Sequence, residues 1–301
     1  MLTKNIKFKN YIVRSNISKI KREFKKFVSK ENEILSSLSL KYKYSYSKKI
    51  IKKYKNFSKL QIIGIGGSIL GTEAIFSFLR DKIKKNFFFI NTIKNETLKN
   101  KGKKTLNLIV SKSGNTLETI SNSNIFINKN DKNIFITENK NSYLNNLAKN
   151  LKAEIIHHNN FIGGRYSVLS EVGMLPAELA GLNPKKFKQL NFLIKKKNFV
   201  NSLINNVANT ISLIKKKRYA SIILNYDEKS ENLFKWYQQL IAESLGKKSK
   251  GILPLISSMP QDNHSLMQLY LDGPKKNFYT FFHVLNENSL KINNNKILSS
   301  H

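Results

Sequence analysis

Two short loops concentrate residue types that bind phosphate: Gly64-Ile65-Gly66-Gly67-Ser68 and Ser111-Lys112-Ser113-Gly114-Asn115-Thr116. The hydroxyls of Ser68, Ser111, Ser113 and Thr116 can donate to phosphate oxygens, and Lys112 supplies a cation. Gly67 leaves room for backbone to approach a ligand. Each loop follows an apolar run and leads into a helical pattern, so unpaired N–H groups and the positive end of a helix dipole stand behind it. A capped strand-to-helix turn uses the same Ser and Thr residues. Two such loops together with the hydroxyl cluster favour a phosphate site. The first loop lacks the glycine spacing of the dinucleotide fingerprint, and no Walker lysine follows, so a nucleotide is not indicated.

A second group suits proton transfer. Gly163-Gly164-Arg165-Tyr166-Ser167 offers Arg165 to an anion or to negative charge that develops in a reaction. Its plain alternative is a structural ion pair, yet only 19 acids face 53 basic residues. Gln239 and Glu243 are spaced i, i+4 and share one helix face. There Glu243 could move a proton beside a carbonyl while Gln239 orients a hydroxyl. From spacing alone, a solvated glutamate is the simpler reading of Glu243. His264 follows Pro260 in Asp262-Asn263-His264-Ser265, with Asp262 as a cap, and is a candidate acid/base. His157-His158 reads as a surface pair at a strand end. No spacing resembles a metal cage, so no metal is expected.

These residues need a scaffold of alternating elements. Strand patterns cover Leu60 to Ile65, Phe87 to Ile90, Leu106 to Val110, Asn133 to Thr137 and Ala153 to His157. Helical patterns cover Ile69 to Leu79, Asn115 to Phe126, Ser142 to Asn150 and Ser167 to Leu182, the last broken at Asn183-Pro184. Beyond a basic helical stretch over 185–217, the order continues as strand Tyr219 to Asn225, helix Glu231 to Leu245 and strand Gly251 to Ile256. Helix Gln261 to Leu271 and strand Phe278 to Leu285 follow. Alternation of this kind predicts an α/β fold of parallel sheets covered on both faces. Residues 1–57 read as a helical N-terminal segment and 286–301 as a polar, frayed tail.

Composition narrows the class. The 301 residues are 40% hydrophobic and 24% charged, with 13 Gly and no Cys. Wholesale disorder, collagen and disulfide scaffolds are excluded, and the absence of Cys fits a reducing cytoplasm. No apolar run reaches the roughly 18 residues of a membrane span, and no signal peptide is read. The net charge is +34. The lysines are spread along the whole chain, as in Lys25-Lys26, Lys84-Lys85 and Lys247-Lys248, which reads as solvated faces rather than a specific nucleic-acid surface. A positive field still helps an anionic substrate find its site.

Five stretches, taken together, resemble glucose-6-phosphate isomerases of the shorter bacterial type, in the phosphoglucose isomerase family. They are IGIGGSILGTEAI (63–75), VSKSGNTLETI (110–120), GGRYSVLSEVGMLPAELAGLN (163–183), WYQQLIAESLGKKSKGILP (236–254) and QDNHSLMQLYLDGP (261–274). The resemblance implies two sugar-isomerase (SIS) domains, each a mostly parallel sheet sandwiched between helices, over 58–184 and a C-terminally shortened 185–301. It implies interconversion of glucose 6-phosphate and fructose 6-phosphate, in glycolysis and gluconeogenesis, with no cofactor. Ser111, Lys112, Ser113 and Thr116 match the phosphate loop, with Gly67 and Ser68 beside it. Arg165 matches the arginine that steadies an enediolate, Glu243 the base between C1 and C2, and Gln239 a substrate-contacting glutamine. His264 matches the ring-opening histidine, which in this family comes from a neighbouring subunit, implying a homodimer. Asn115 stands where the family usually has threonine. Nothing after Pro274 matches the family's lysine-bearing C-terminal segment, and Lys291 and Lys296 lack its pattern. A catalytically impaired fragment or a sugar-phosphate-binding regulator is therefore the competing expectation.

Overall fold

The computed structural model describes residues 17–30, 32–93 and 105–285. The first 16 residues of the expected N-terminal segment, the tail from 286, and with it Lys291 and Lys296, lie outside the described residues.

Helices α1 (Ile17–Ser29), α2 (Glu33–Ser37) and α3 (Lys48–Tyr54) precede strand β1 (Lys59–Ile63). Then come α4 (Leu70–Phe78), β2 (Asn86–Ile90), β3 (Thr105–Val110), α5 (Leu117–Phe126), β4 (Lys132–Thr137), α6 (Tyr143–Asn150), β5 (Glu154–His157) and α7 (Glu171–Leu179). The five strands form one parallel sheet in the order β2-β1-β3-β4-β5. Because side chains alternate along a strand, each strand feeds two cores. Leu60, Ile62, Leu106, Leu108, Ile134 and Ile136 face Val172, Leu175 and Leu179 of α7. Ile63, Ile109 and Phe135 face Phe126 of α5 and Leu144 of α6. On this second face a buried amide row, Gln61 to Asn107 (3.1 Å) to Asn133 (2.8 Å), runs across three registered strands. Each amide satisfies the next and fixes register.

The chain continues through α8 (Pro184–Phe187) and α9 (Lys197–Lys215) to β6 (Ala220–Asn225), α10 (Glu231–Leu245), β7 (Leu253–Ser258), α11 (Met267–Asp272) and β8 (Asn277–Phe282). The second sheet is a parallel trio, β7-β6-β8. Met267 and Tyr270 of the α11 helix pack on Ile222, Leu224, Met259 and Tyr279. Phe234 of α10 meets Phe282 edge-on, with centroids 4.8 Å apart. Helix α10 also lies along α4, so it joins the two sheets.

Three expectations are corrected. The helix expected from Ser167 begins at Glu171, because residues Gly164–Leu169 wind as a tight 3-10 turn that Ser170 ends by capping α7. Gly181, at φ +89°, closes α7 in the left-handed conformation. The helix expected from Gln261 begins at Met267, because Asp262 accepts from Ser257 Oγ (2.8 Å), the Ser258 N–H (2.7 Å) and Ser265 Oγ (2.9 Å), tying 257–265 into a turn.

Residues 38–47, expected within a helical segment, are not helical. Tyr42, Tyr44 and Tyr46 alternate there, which puts three rings on one side of an extended chain. Tyr44 stacks on Tyr46 at 5.0 Å, while Tyr42 and Tyr46 donate to Glu171 Oε2 (3.0 Å) and Glu178 Oε2 (2.9 Å) of α7. The Lys188 ammonium, 4.4 Å from the centroids of both Tyr42 and Tyr44, is buried without a hydrogen-bond acceptor.

Burial pushes the Lys188 ammonium down to about 8, against partial opposition from the Glu171 charge. The unfolded chain then binds more protons than the folded one above pH 8, so stability rises with pH there. Burial and nearby glutamates push the three tyrosines well above their ordinary value, so stability falls again once the unfolded tyrosines ionise near pH 10. Denaturant unfolding should therefore show a gain of about 1–2 kcal/mol between pH 8 and about 9.5, and Lys188→Met should flatten it.

Candidate active site

The loop 64–68 meets the segment 163–167 backbone to backbone, beyond the carboxyl ends of β1 and β5. A Cβ on Gly67 would lie 2.3 Å from the Gly164 carbonyl carbon, so only glycine allows the contact. Ser167 Oγ closes it from above, donating toward Gly164 O (2.7 Å) and Gly67 O (3.2 Å). This seat fixes the next residue, Arg165, whose carbonyl accepts the Trp236 indole N–H from α10 (2.9 Å).

The Arg165 side chain then reaches α10. Its Nε donates to Ser244 Oγ (3.1 Å) and its terminal N–H to Glu243 Oε2 (3.0 Å), while the guanidinium lies 4.5 Å from the Tyr166 ring centroid. Tyr166 and Ser244 share a 2.9 Å hydroxyl hydrogen bond. Burial raises the Tyr166 phenol, but the Ser244 hydrogen bond and the Arg165 charge outweigh it and leave the phenol below its ordinary value. Gln239 Nε2 donates to Glu243 Oε1 (2.7 Å) and sits against Gly66, at φ +54°, where a Cβ would come within 3.0 Å of it. Both carboxylate oxygens of Glu243 thus hold a donor, one from each side of the cleft. The Glu243 side chain is 48% exposed and that of Arg165 20% exposed, so a ligand can reach this pair. Gln239 Oε1 is buried with no partner. A substrate hydroxyl or carbonyl entering here could take over the amide and guanidinium donors and free the carboxylate as a base.

The second loop gathers its hydroxyls as expected. Ser111 Oγ lies 2.9 Å and Ser113 Oγ 3.4 Å from Thr116 Oγ1. Thr116 precedes α5 and forms no side-chain cap, which leaves the helix's first N–H groups for an anion. Gly114 (φ +67°) is required, since a Cβ would meet Ser142 Oγ at 2.2 Å. Asn115 plays a structural part, its Oδ1 accepting the Tyr143 N–H at the start of α6 (2.9 Å). Lys112 Nζ donates to Asn160 O (2.7 Å) and lies 3.4 Å from Glu138, which also pairs with Lys140 at 2.6 Å. Burial raises the Glu138 carboxyl, but the two lysines hold it below the usual range. Ser68 ends the 3-10 turn Gly66–Ser68 leading into α4.

Of the expected residues, Arg165, Gln239 and Glu243 come into contact with Gly66 and Gly67 beside them, and Ser111, Lys112, Ser113 and Thr116 form the second loop. His264 is exposed, and its ring makes no hydrogen bond or ion pair among the described residues. The His157-His158 pair needs correction: His157 is exposed, whereas His158 is buried against Glu171, which a strand-end reading could not anticipate. Ser244, Tyr166 and Trp236 also escape the sequence reading. Trp236, Gln239 and Glu243 stand at i, i+3 and i+7, a one-face pattern that was legible. Among the described residues no group of three or more His, Asp or Glu side chains could hold a metal ion, and no helix is long and apolar enough to cross a membrane.

Two parallel sheets bridged by α10, with the site between them, define an α/β fold of the sugar-isomerase type. By structure the chain resembles a hypothetical protein from Thermus thermophilus, with TM-score 0.69, 22% identity, and 88% of this chain and 69% of that one covered. It also resembles the tagatose-6-phosphate ketose/aldose isomerase of Escherichia coli, with TM-score 0.56, 16% identity, and 77% and 64% covered. The phosphoglucose isomerase family model matches residues 16–256, and the chain belongs to that family. The glucose-6-phosphate isomerase of Methanocaldococcus jannaschii is 34% identical over 252 residues, 77% of this chain and 62% of that protein. That of Mycoplasmopsis synoviae is 31% identical, with 92% and 73% covered. The chain thus spans about three fifths of the length of curated relatives such as the first.

Gly67→Ala tests the seat of Arg165. Its methyl group meets backbone that cannot yield without moving the arginine. Thermal unfolding should show a loss of about 1–3 kcal/mol. Wild-type stability would refute the tight contact.

Proposed function

We propose that this chain is an aldose–ketose isomerase that interconverts glucose 6-phosphate and fructose 6-phosphate in glycolysis and gluconeogenesis. The observation that carries the reading is Glu243, held between Gln239 and Arg165 at 2.7 and 3.0 Å. A pure sugar-phosphate binder has no need of a carboxylate so placed.

In this reading the phosphate is held by Ser68, Ser111, Ser113, Thr116 and the N-terminus of α5, with Lys112 alongside. Phosphate binding at the far end of the sugar orients C1 and C2 without taking part in the chemistry. Glu243 removes the C2 proton, the oxygen at C1 gains negative charge facing Arg165, the hydroxyl proton passes from O2 to O1, and Glu243 returns its proton to C1, which leaves the carbonyl at C2. Gln239 keeps a hydroxyl of the open chain in line. His264 acts as the ring-opening acid/base and serves the site of a second copy in a homodimer, a role supported by its exposed ring, which has no partner among the described residues. The two units, 58–184 and 185–301, act as SIS domains in a cytoplasmic enzyme.

Purified chain should convert fructose 6-phosphate in a dehydrogenase-coupled assay. Glu243→Gln keeps a hydrogen-bonding shape but cannot take the proton, so kcat should fall about 10²–10⁴-fold while hexose phosphate binding persists. Near-normal turnover in that variant would refute the base assignment. Ser113→Ala combined with Thr116→Ala should raise KM more than it lowers kcat. An unchanged KM would move the phosphate elsewhere.

A further inference from the structure

Behind the loop that delivers Arg165 lies an ion pair that the chemistry above does not use. His158 and Glu171 are each 1% exposed at the side chain, with Nδ1 2.7 Å from Oε1. His158 Nε2 lies 2.9 Å from Ile162 O. A carbonyl oxygen only accepts, so Nε2 carries a proton. Glu171 accepts the Asn159 N–H at Oε1 (3.1 Å) and the Tyr42 hydroxyl at Oε2 (3.0 Å). Burial raises its carboxyl, but the hydrogen bond and charge of His158 and the backbone N–H groups hold it below the usual range. Both ring nitrogens of His158 are thus held, Nδ1 by Glu171 and Nε2 by the Ile162 carbonyl.

We propose that the His158–Glu171 pair, braced by Tyr42, is a positioning device for Arg165: it fixes the loop 159–164 whose end sets where the guanidinium meets Glu243. The proposal rests on the role given to Arg165 above. A buried ion pair adds little net stability over apolar side chains of the same volume, so what it contributes is geometry. It grips the loop at both ends, at the Asn159 N–H and the Ile162 carbonyl. Between them the Phe161 N–H bonds Asn159 Oδ1 (2.9 Å), and Lys112 of the phosphate loop holds Asn160 O (2.7 Å). Ile162 is fully buried, and three residues later comes Arg165. As the first residue of α7, Glu171 also gains from the helix dipole. His158 and Glu171 are positioning residues, remote from the reacting atoms.

The chain contains its own reporter. Trp236 is its only tryptophan, and the indole N–H donates to Arg165 O. In ¹⁵N–¹H spectra of the full chain, Glu171→Gln and His158→Gln should each shift this single indole signal and speed its solvent exchange. Glu178→Gln is the control, since Glu178 sits on the same helix and holds Tyr46 in the same way but does not touch the loop. It should leave the signal in place. In turnover, Glu171→Gln should lower kcat about tenfold or more with KM nearly constant. It should add no further loss in an Arg165→Ala background. An unmoved indole signal in the loop-pair variants, or an equal shift in Glu178→Gln, overturns the proposal. If Glu171→Gln fails to fold, His158→Gln against Glu178→Gln decides it. If Arg165→Ala keeps full turnover, the role of Arg165 falls, while the indole signal still judges the positioning.

Discussion

The contact between Arg165 and Glu243, 3.0 Å across the cleft, is the point on which both halves of the chain converge. Arg165 stands on a turn seated against the first sheet's glycine loop, and Glu243 stands on the helix that covers the second sheet. Partly exposed pairs of this kind contribute only about 0–1 kcal/mol to stability. Its importance is therefore positional. Glycine at 67 lets two backbones touch, and Trp236, Ser244 and Tyr166 hold the arginine at its carbonyl, its Nε and its flat face.

Helix α10 carries most of the remaining constraint. It has to lie on α4, meet β7 and present Trp236, Gln239 and Glu243 on one face. Asn232 donates to Ser77 Oγ (2.8 Å) near its start, and Lys229, just before it, pairs with Asp81 (2.6 Å). Polar contacts at one end and the arginine cluster at the other keep the helix in register with the first sheet. The loop from Ser111 to Thr116 needs less: a buried strand, a left-handed Gly114 and an uncapped helix start.

Much of this was legible in the residues. Alternating apolar runs and glycine turns marked, to within a few positions, all eight strands found among the described residues, because a buried parallel strand must be apolar and end in a turn. The two loops and Arg165 stand out by residue type and spacing, whereas Gln239 and Glu243, not distinguished by spacing alone, take their expected roles from the five resembling stretches. What escaped depends on long-range partners. Tyr42 to Tyr46 looked like part of a helical segment until Glu171 and Glu178, more than a hundred residues away, gave two of the rings acceptors. His158 looked like a surface residue because nothing local announces a buried carboxylate 13 positions on. Lys112 read as a bare cation, while the structure gives it Asn160 and Glu138. The 3-10 turn over Gly164–Leu169 follows from the packing of Gly67, which no local propensity encodes.

The role proposed for Glu243 is to move the C2 proton of a hexose 6-phosphate. Its most direct test follows deuterium from [2-²H]glucose 6-phosphate incubated with the purified chain. The prediction is transfer to C1 of fructose 6-phosphate with partial loss to water, abolished by Glu243→Gln. Full retention of the label during turnover, or washout that persists in Glu243→Gln, would contradict it.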